Sequence, residues 1–216
     1  MKLLDLFCGA GGAAMGYHQA GFDEIVGIDN QPQPNYPFTF IQADALNPPL
    51  DLEAFDLVHA SPPCQAYSRL RHLPWLKDRI YPDLIPPTRE MLQAHATPWV
   101  IENVEDAPLG HEIVAIKLCG RAFGLPLFRH RWFESTVPLM APPHFVHSGG
   151  GGGKRINDRR SQKTEVLTIA GHSSGWSMDE QRAAMGIDWM RRDELTQAIP
   201  PAYTRFIGEQ FMAQQR

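Results

Sequence analysis

A cysteine held behind two prolines is the first place in this sequence where side chains could do chemistry. The run S-P-P-C-Q, Ser61 to Gln65, directly follows an apolar segment. Proline fixes φ, so Pro62 and Pro63 keep the chain extended and set Cys64 on a rigid support. A thiol there attacks only as the thiolate, which calls for a cation or a helix N-terminus nearby. Glu102 in V-I-E-N-V ends another apolar run, beside Asn103. Burial at that edge raises a carboxyl pKa and lets it keep a proton at neutral pH, as a general acid must. Arg129 and Arg131 of F-R-H-R-W-F stand two apart, on one face if the run is a strand, where the pair could hold a carboxylate or phosphate. Cys8 and Cys119 read as small buried hydrophobes.

A glycine loop supplies a different chemistry. C-G-A-G-G-A-A, from Cys8, follows one apolar run and opens a helical stretch, so backbone N–H groups can approach a ligand with no Cβ in the way. Gly9, Gly11 and Ala14 fit the loose pattern G-x-G-x-x-G/A, and Asp29 lies at a distance suited to gripping a ribose. Nothing at this point separates a nicotinamide dinucleotide from S-adenosylmethionine. Asp44, after the third run, could accept a hydrogen bond from an adenine amino group or simply cap a turn.

These residues share a position. Apolar runs Lys2 to Phe7, Glu24 to Ile28, Phe38 to Ile41, Phe55 to Ala60 and Trp99 to Ile101 have the length of strands buried on both faces, and helical or loop stretches separate them. That is the rhythm of a doubly wound α/β sheet, in which ligands bind outside the carboxyl ends of the strands. Gly9, Asp29, Asp44, Cys64 and Glu102 all stand at such ends. Helices are predicted over Gly12–Ala20, Asp83–Ala96, Met178–Gly186 and Tyr203–Gln214. The 216 residues, 43% hydrophobic and 20% charged, suffice for a core and exclude a fibrous or disordered chain. A formal net charge of -4 restricts any nucleic-acid contact to a local patch. Three cysteines without a CxxC pair give neither a disulfide framework nor a zinc signature, so no metal is expected. Asp5 breaks an N-terminal apolar run too short for a membrane span, which leads to the expectation of a cytoplasmic protein.

Taken in order, D-L-F-C-G-A-G-G through A-G-F, the acid of G-I-D-N, D-A-L at Asp44, P-C-Q, E-N-V, R-H-R and the late P-P-A-Y-T-R-F-I-G-E-Q make a chain that resembles the DNA cytosine-5 methyltransferase family. The resemblance implies a Rossmann-like, S-adenosylmethionine-dependent methyltransferase fold. It implies double-stranded DNA as partner and a cytosine flipped out of the duplex. Cys64 would add to C6 of the base, Glu102 would protonate or hydrogen-bond N3, Arg131 would contact O2, and Arg129 would steady Glu102 or a phosphate. The cofactor would meet Phe7, Gly9, Gly11, Asp29, Asp44 and Pro63. Gln65 and Ser68 would lie in a loop closing over the base.

Three regions are expected: a catalytic and cofactor-binding core over 1–136, a short insert over 137–177 in place of a full recognition domain, and C-terminal helices over 178–216 returning to the core. The insert holds five consecutive glycines, Gly149 to Gly153, then a run with five basic residues against Asp158. Lys154, Arg155, Arg159 and Arg160 would contact phosphates, with little reading of bases, hence short or relaxed sequence specificity. A monomer is expected, with a partner protein as a further source of specificity. Thr196 and Gln197 stand where the family usually carries Gly-Asn before the late Pro-Pro. Competing readings are an amino methyltransferase, which Cys64 in place of a stacking aromatic disfavours, and a non-catalytic DNA-binding or decoy module, for which Cys64 and Glu102 would have no use.

Overall fold

The computed structural model describes residues 1–68, 79–110, 113–144, 166–167, 169 and 176–215. Five apolar runs form parallel strands: β1 (Lys2–Leu6), β2 (Glu24–Asp29), β3 (Thr39–Gln42), β4 (Leu57–Ala60) and β5 (Trp99–Asn103). Two more, β6 (Ala115–Leu118) and β7 (Arg131–Ser135), complete a seven-stranded sheet of order β3-β2-β1-β4-β5-β7-β6. β7 runs antiparallel to both its neighbours. The order reverses direction at β1, which pairs with β2 on one side and β4 on the other. At such a switch point the loops leaving the two strands diverge, which opens a crevice above their carboxyl ends.

Alternation along the strands divides the core. Leu3, Tyr17, Phe22, Val100, Phe133, Tyr203 and Phe211 gather on one face of the sheet. Leu4, Leu6, Val58, Leu92, Trp99 and Ile101 gather on the other, as the period-2 pleat requires. Helix α1 (Gly12–Ala20) and the C-terminal α5 (Pro201–Gln214) pack together on the first face. Gly16 permits their approach, since a Cβ there would stand 2.0 Å from Thr204 Oγ1 and 2.1 Å from the Pro201 carbonyl. Helix α2 (Ile85–Gln93) covers the second face through Leu92. A third cluster, Leu127, Leu167, Met185, Ile187, Met190 and Leu195, lies beneath α3 (Met178–Met185) and α4 (Arg192–Gln197).

Several expectations change. β3 is a half-exposed edge strand, not one buried on both faces. The F-R-H-R-W-F run enters the sheet only at Arg131, so Arg129 precedes the strand and does not share its face. Helix α2 starts at Ile85 rather than Asp83, with Pro86 and Pro87 in its first turn where missing N–H groups cost nothing. Asp83 stays outside and accepts hydrogen bonds from the Tyr67 hydroxyl and, at 3.2 Å, from the Ile85 amide. Ser177 and Glu180 form a reciprocal capping box that starts α3. Of the expected insert, Val137 lies in the core and Leu167 pairs as a bridge with Leu127. Lys154, Arg155, Arg159 and Arg160 lie outside the described residues. Among the described residues no helix is long and apolar enough to cross a membrane.

Candidate active site

The crevice above β1, β2, β4 and β5 encloses about 1,410 Å³, above the roughly 300–1,000 Å³ of a pocket for one small molecule. Phe7, Gly9, Asp29, Pro63, Cys64, Gln65, Ser68, Glu102, Arg129 and Arg131 all line it. The strand ends and loops that carry them lie far apart in the chain, and the topology brings them to one cavity.

Cys64 opens a short 3-10 turn, Cys64–Ala66, directly after the two prolines. The turn is tied down by the amides of Tyr67 and Ser68, which donate to the Cys64 carbonyl at 3.0 and 2.8 Å. Asn103 at the end of β5 donates from Nδ2 to the Pro62 carbonyl at 2.8 Å. The strand that carries Glu102 therefore also fixes the loop that carries Cys64. Burial raises the Cys64 thiol above its ordinary range, and the Arg131 guanidinium opposes this by favouring the thiolate. Glu102 is 6% exposed. Burial raises its carboxyl pKa, while Arg131, a hydrogen bond from Ser61 and Arg129 pull it down. Arg131 Nε lies 2.9 Å from Glu102 Oε1. One guanidinium thus acts on both the candidate nucleophile and the candidate acid.

Behind Glu102 runs a buried chain that sequence reasoning missed. His59, fully buried in β4, accepts from or donates to the Tyr17 hydroxyl through Nδ1 at 3.1 Å and meets Ser61 Oγ through Nε2 at 3.0 Å. Burial lowers the His59 pKa to about 3, so the ring is neutral and has one N–H to give. Every group is satisfied if Tyr17 donates to Nδ1, Nε2–H donates to Ser61, and the Ser61 hydroxyl donates to Glu102. The only signal in the sequence was a histidine inside an apolar run, L-V-H-A.

Other expected residues sit differently. Arg129, with φ of +33°, is committed to backbone carbonyls: Nε donates to Ala198 at 2.9 Å, and Nη1 and Nη2 donate to Ile169 and Thr196 at 3.2 and 2.7 Å. Burial and then the neighbouring Arg131 charge lower its pKa to about 9. Its hydrogen bonds brace the crevice wall, and its charge still favours the ionised form of Glu102. Asp44 does not line the cavity: its carboxylate accepts from the Leu46 amide and from Asn47 Nδ2, both at 2.9 Å, which holds its pKa low. It caps a turn.

Gly11 turns the chain at φ +81°, and a Cβ there would meet Pro37 Cδ at 2.7 Å, so it serves packing below the cavity. Gly9 is different. A Cβ on it meets nothing within 4 Å, so a side chain would stand in the crevice. Its amide donates to Asp29 Oδ2 at 3.1 Å, while Asp29 Oδ1 accepts from the Gln31 amide at 2.9 Å. Gln197, at the end of α4, also lines the crevice.

The model of the family "C-5 cytosine-specific DNA methylase" matches residues 1–108. A Type II methyltransferase of Bacillus subtilis (strain 168), M2.BsuMI, is 25% identical over 93% of this chain and 55% of its own. M.AgeI of Thalassovita gelatinovora is 33% identical over 74% of this chain and 46% of its own. The chain spans about half the length of the curated relatives it matches. Among solved structures, the Dnmt2 methyltransferase of S. pombe is similar in fold, with a TM-score of 0.64 at 13% identity, covering 100% of this chain and 99% of that one. The methyltransferase EhMeth of Entamoeba histolytica has a TM-score of 0.60 at 12% identity over 100% and 99%. The matched half of the sequence, which includes the glycine loop, the prolines before Cys64 and the strand bearing Glu102, identifies this chain as a member of the C-5 cytosine-specific DNA methylase family.

Proposed function

We propose that the chain methylates C5 of cytosine in DNA, with S-adenosylmethionine as donor and Cys64 as covalent catalyst. The observation that carries this reading is that Cys64 and Glu102 open into the same cavity with Arg131 acting on both.

Cytosine C5 is too poor a nucleophile to accept a methyl group unaided. The Cys64 thiolate forms a bond to C6, and the electron pair displaced from the C5–C6 double bond is drawn toward N3, where the Glu102 carboxyl shares its proton. C5 then has enamine character. S-adenosylmethionine, when bound, supplies an electrophilic methyl group. Once the methyl is on C5, with S-adenosylhomocysteine as the leaving product, the C5 proton passes to water and the N3 proton returns to Glu102, so the pair swings back to expel Cys64 as thiolate and the ring regains its double bond. Arg131 is placed to stabilise charge as it moves between thiol, ring and carboxyl.

The donor's fit rests on the bare face of Gly9. There the cavity wall is backbone, and Phe7, Asp29 and Pro63 lie along the same rim. Those four residues would hold the nucleoside part. Asp29 keeps lone pairs for a ribose, whereas Asp44 and Gly11, busy elsewhere, are not proposed as contacts. The cavity exceeds one ligand's volume, which suits a donor and an everted nucleotide together. Gln65 and Ser68, on its rim, would face the DNA.

For the segment over 137–177 we propose phosphate contacts and short or relaxed specificity. Bisulfite sequencing that confined methylation to a site of about six or more defined bases would overturn that part. The reaction itself is tested with tritiated S-adenosylmethionine and duplex DNA. Digestion to nucleosides should give label in 5-methylcytosine, and Cys64→Ala should give none. Label in an amino-methylated base would sink the proposal.

A further inference from the structure

A second cluster of chemically capable side chains lies at the antiparallel edge of the sheet. The last pair between β6 and β7 is Leu118 with Arg131, so the next residues outward, Cys119 and His130, face each other beyond the ladder. The chain leaving β7 then returns and brings His144 to the same point. The Cys119 sulfur and one ring nitrogen of each histidine all lie within 4.8 Å of one another. The two Nε2 atoms are 3.2 Å apart. Tetrahedral ligands at the usual Zn–N length would stand about 3.3 Å apart. On its far side, His130 Nδ1 lies 3.4 Å from Glu105 Oε2. A carboxylate there selects the tautomer with N–H on Nδ1, the arrangement found behind metal-bound histidines, and turns the Nε2 lone pair toward His144 Nε2 in a hydrogen bond that metal binding would replace.

We propose that Cys119, His130 and His144 bind a transition-metal ion, zinc being the best match to one thiolate and two imidazoles. Binding replaces the thiol proton with the metal, and one coordination position remains for water or a further ligand. The ion would pin the chain at His144, which leads into residues 145–165, to the edge that also carries Arg131. The CxxC criterion overlooked this site because its three ligands come from separate segments.

The test uses the whole chain, loaded with zinc and freed of excess by gel filtration. Bound zinc, released by denaturation and read with a chromogenic chelator, should be about one per chain and fall to under about 0.2 in Cys119→Ser and His144→Ala. Cys64→Ala should retain it. Because His144 lies on the solvent side, its variant should keep the fold even if a change at buried Cys119 does not. Cobalt(II) should show a thiolate charge-transfer band in the parent chain that Cys119→Ser lacks. Zinc in excess should raise Tm by about 5 °C in the parent and not in His144→Ala. Equal zinc in the parent and in His144→Ala, or its loss in Cys64→Ala alone, would overturn the proposal.

Discussion

Replacing Ser61 with alanine removes a single hydroxyl and should move the pH dependence of methyl transfer in a stated direction. Ser61 donates to the Glu102 carboxyl and favours its charged form. A hydrogen bond to a charged group contributes about 1.5–3 kcal/mol, and one pKa unit corresponds to about 1.36 kcal/mol. Without Ser61 the Glu102 pKa should rise, while Arg131 at 2.9 Å still favours the charged form. If Glu102 must be protonated or share its proton with N3, activity falls at alkaline pH as that proton is lost. In Ser61→Ala this limb of the kcat profile should shift up by about 1–2 units, with less than about a tenfold change at the optimum. Glu102→Gln should abolish the limb and lower kcat by about 10²–10⁴. The assay is methyl transfer to duplex DNA under single-turnover conditions across pH. A limb that stays put, or moves down, would refute the proposed direction of the Tyr17–His59–Ser61–Glu102 chain.

Asn103→Ala leaves the Pro62 carbonyl without its 2.8 Å donor. It should cost about 1–3 kcal/mol, or a Tm lower by about 3–10 °C in a thermal melt, and should lower activity through the loosened Cys64 loop. Arg89 holds the fully buried Glu134 through Nε at 2.7 Å and Nη2 at 3.0 Å. Arg89→Met should cost about 3–5 kcal/mol in urea unfolding, because a buried charge loses its counter-ion. His59, buried neutral with a pKa near 3 against an ordinary 6.5, binds a proton in the unfolded chain before the folded one. Stability it contributes above pH 6.5 is therefore lost as pH falls toward 3, by up to about 1.4 kcal/mol per unit. His59→Gln should lack that component, so the parent should lose about 2 kcal/mol more than the variant between pH 7 and 5.

Strands β1, β2, β4 and β5 were legible because strands buried on both faces admit few polar residues, so each apolar run marks its strand to within one or two residues. Helix α1 was legible from the glycines that bound it. The far edge was not. β6 contains Lys117 and β7 opens with Arg131, and pairing across an edge depends on contacts that local composition does not register. Helix α4, R-D-E-L-T-Q, buries only Leu195 and so shows no apolar period. Within the site, Cys64 and Glu102 were readable because strand ends in this architecture converge. The hydrogen-bond partners of Arg129 and Asp44 were not, since whether a charged side chain meets a ligand or a nearby backbone group depends on its neighbours: three carbonyls for one, a two-residue turn for the other. Asn103 acts through Pro62 and His59 is held by Tyr17, partners remote in sequence, which explains their silence there.

The central claim, a transient bond from the Cys64 sulfur to the pyrimidine ring, is tested most directly by trapping it. A duplex carrying 5-fluorocytosine, incubated with S-adenosylmethionine, cannot lose fluorine as a cation, so the sulfur–carbon bond should persist. Mass spectrometry of the digested product should find the modified base on the peptide bearing Cys64, and no adduct in Cys64→Ala. Cytosine methylation by Cys64→Ala at the parent rate, or an adduct mapped to Cys8 or Cys119, would contradict it.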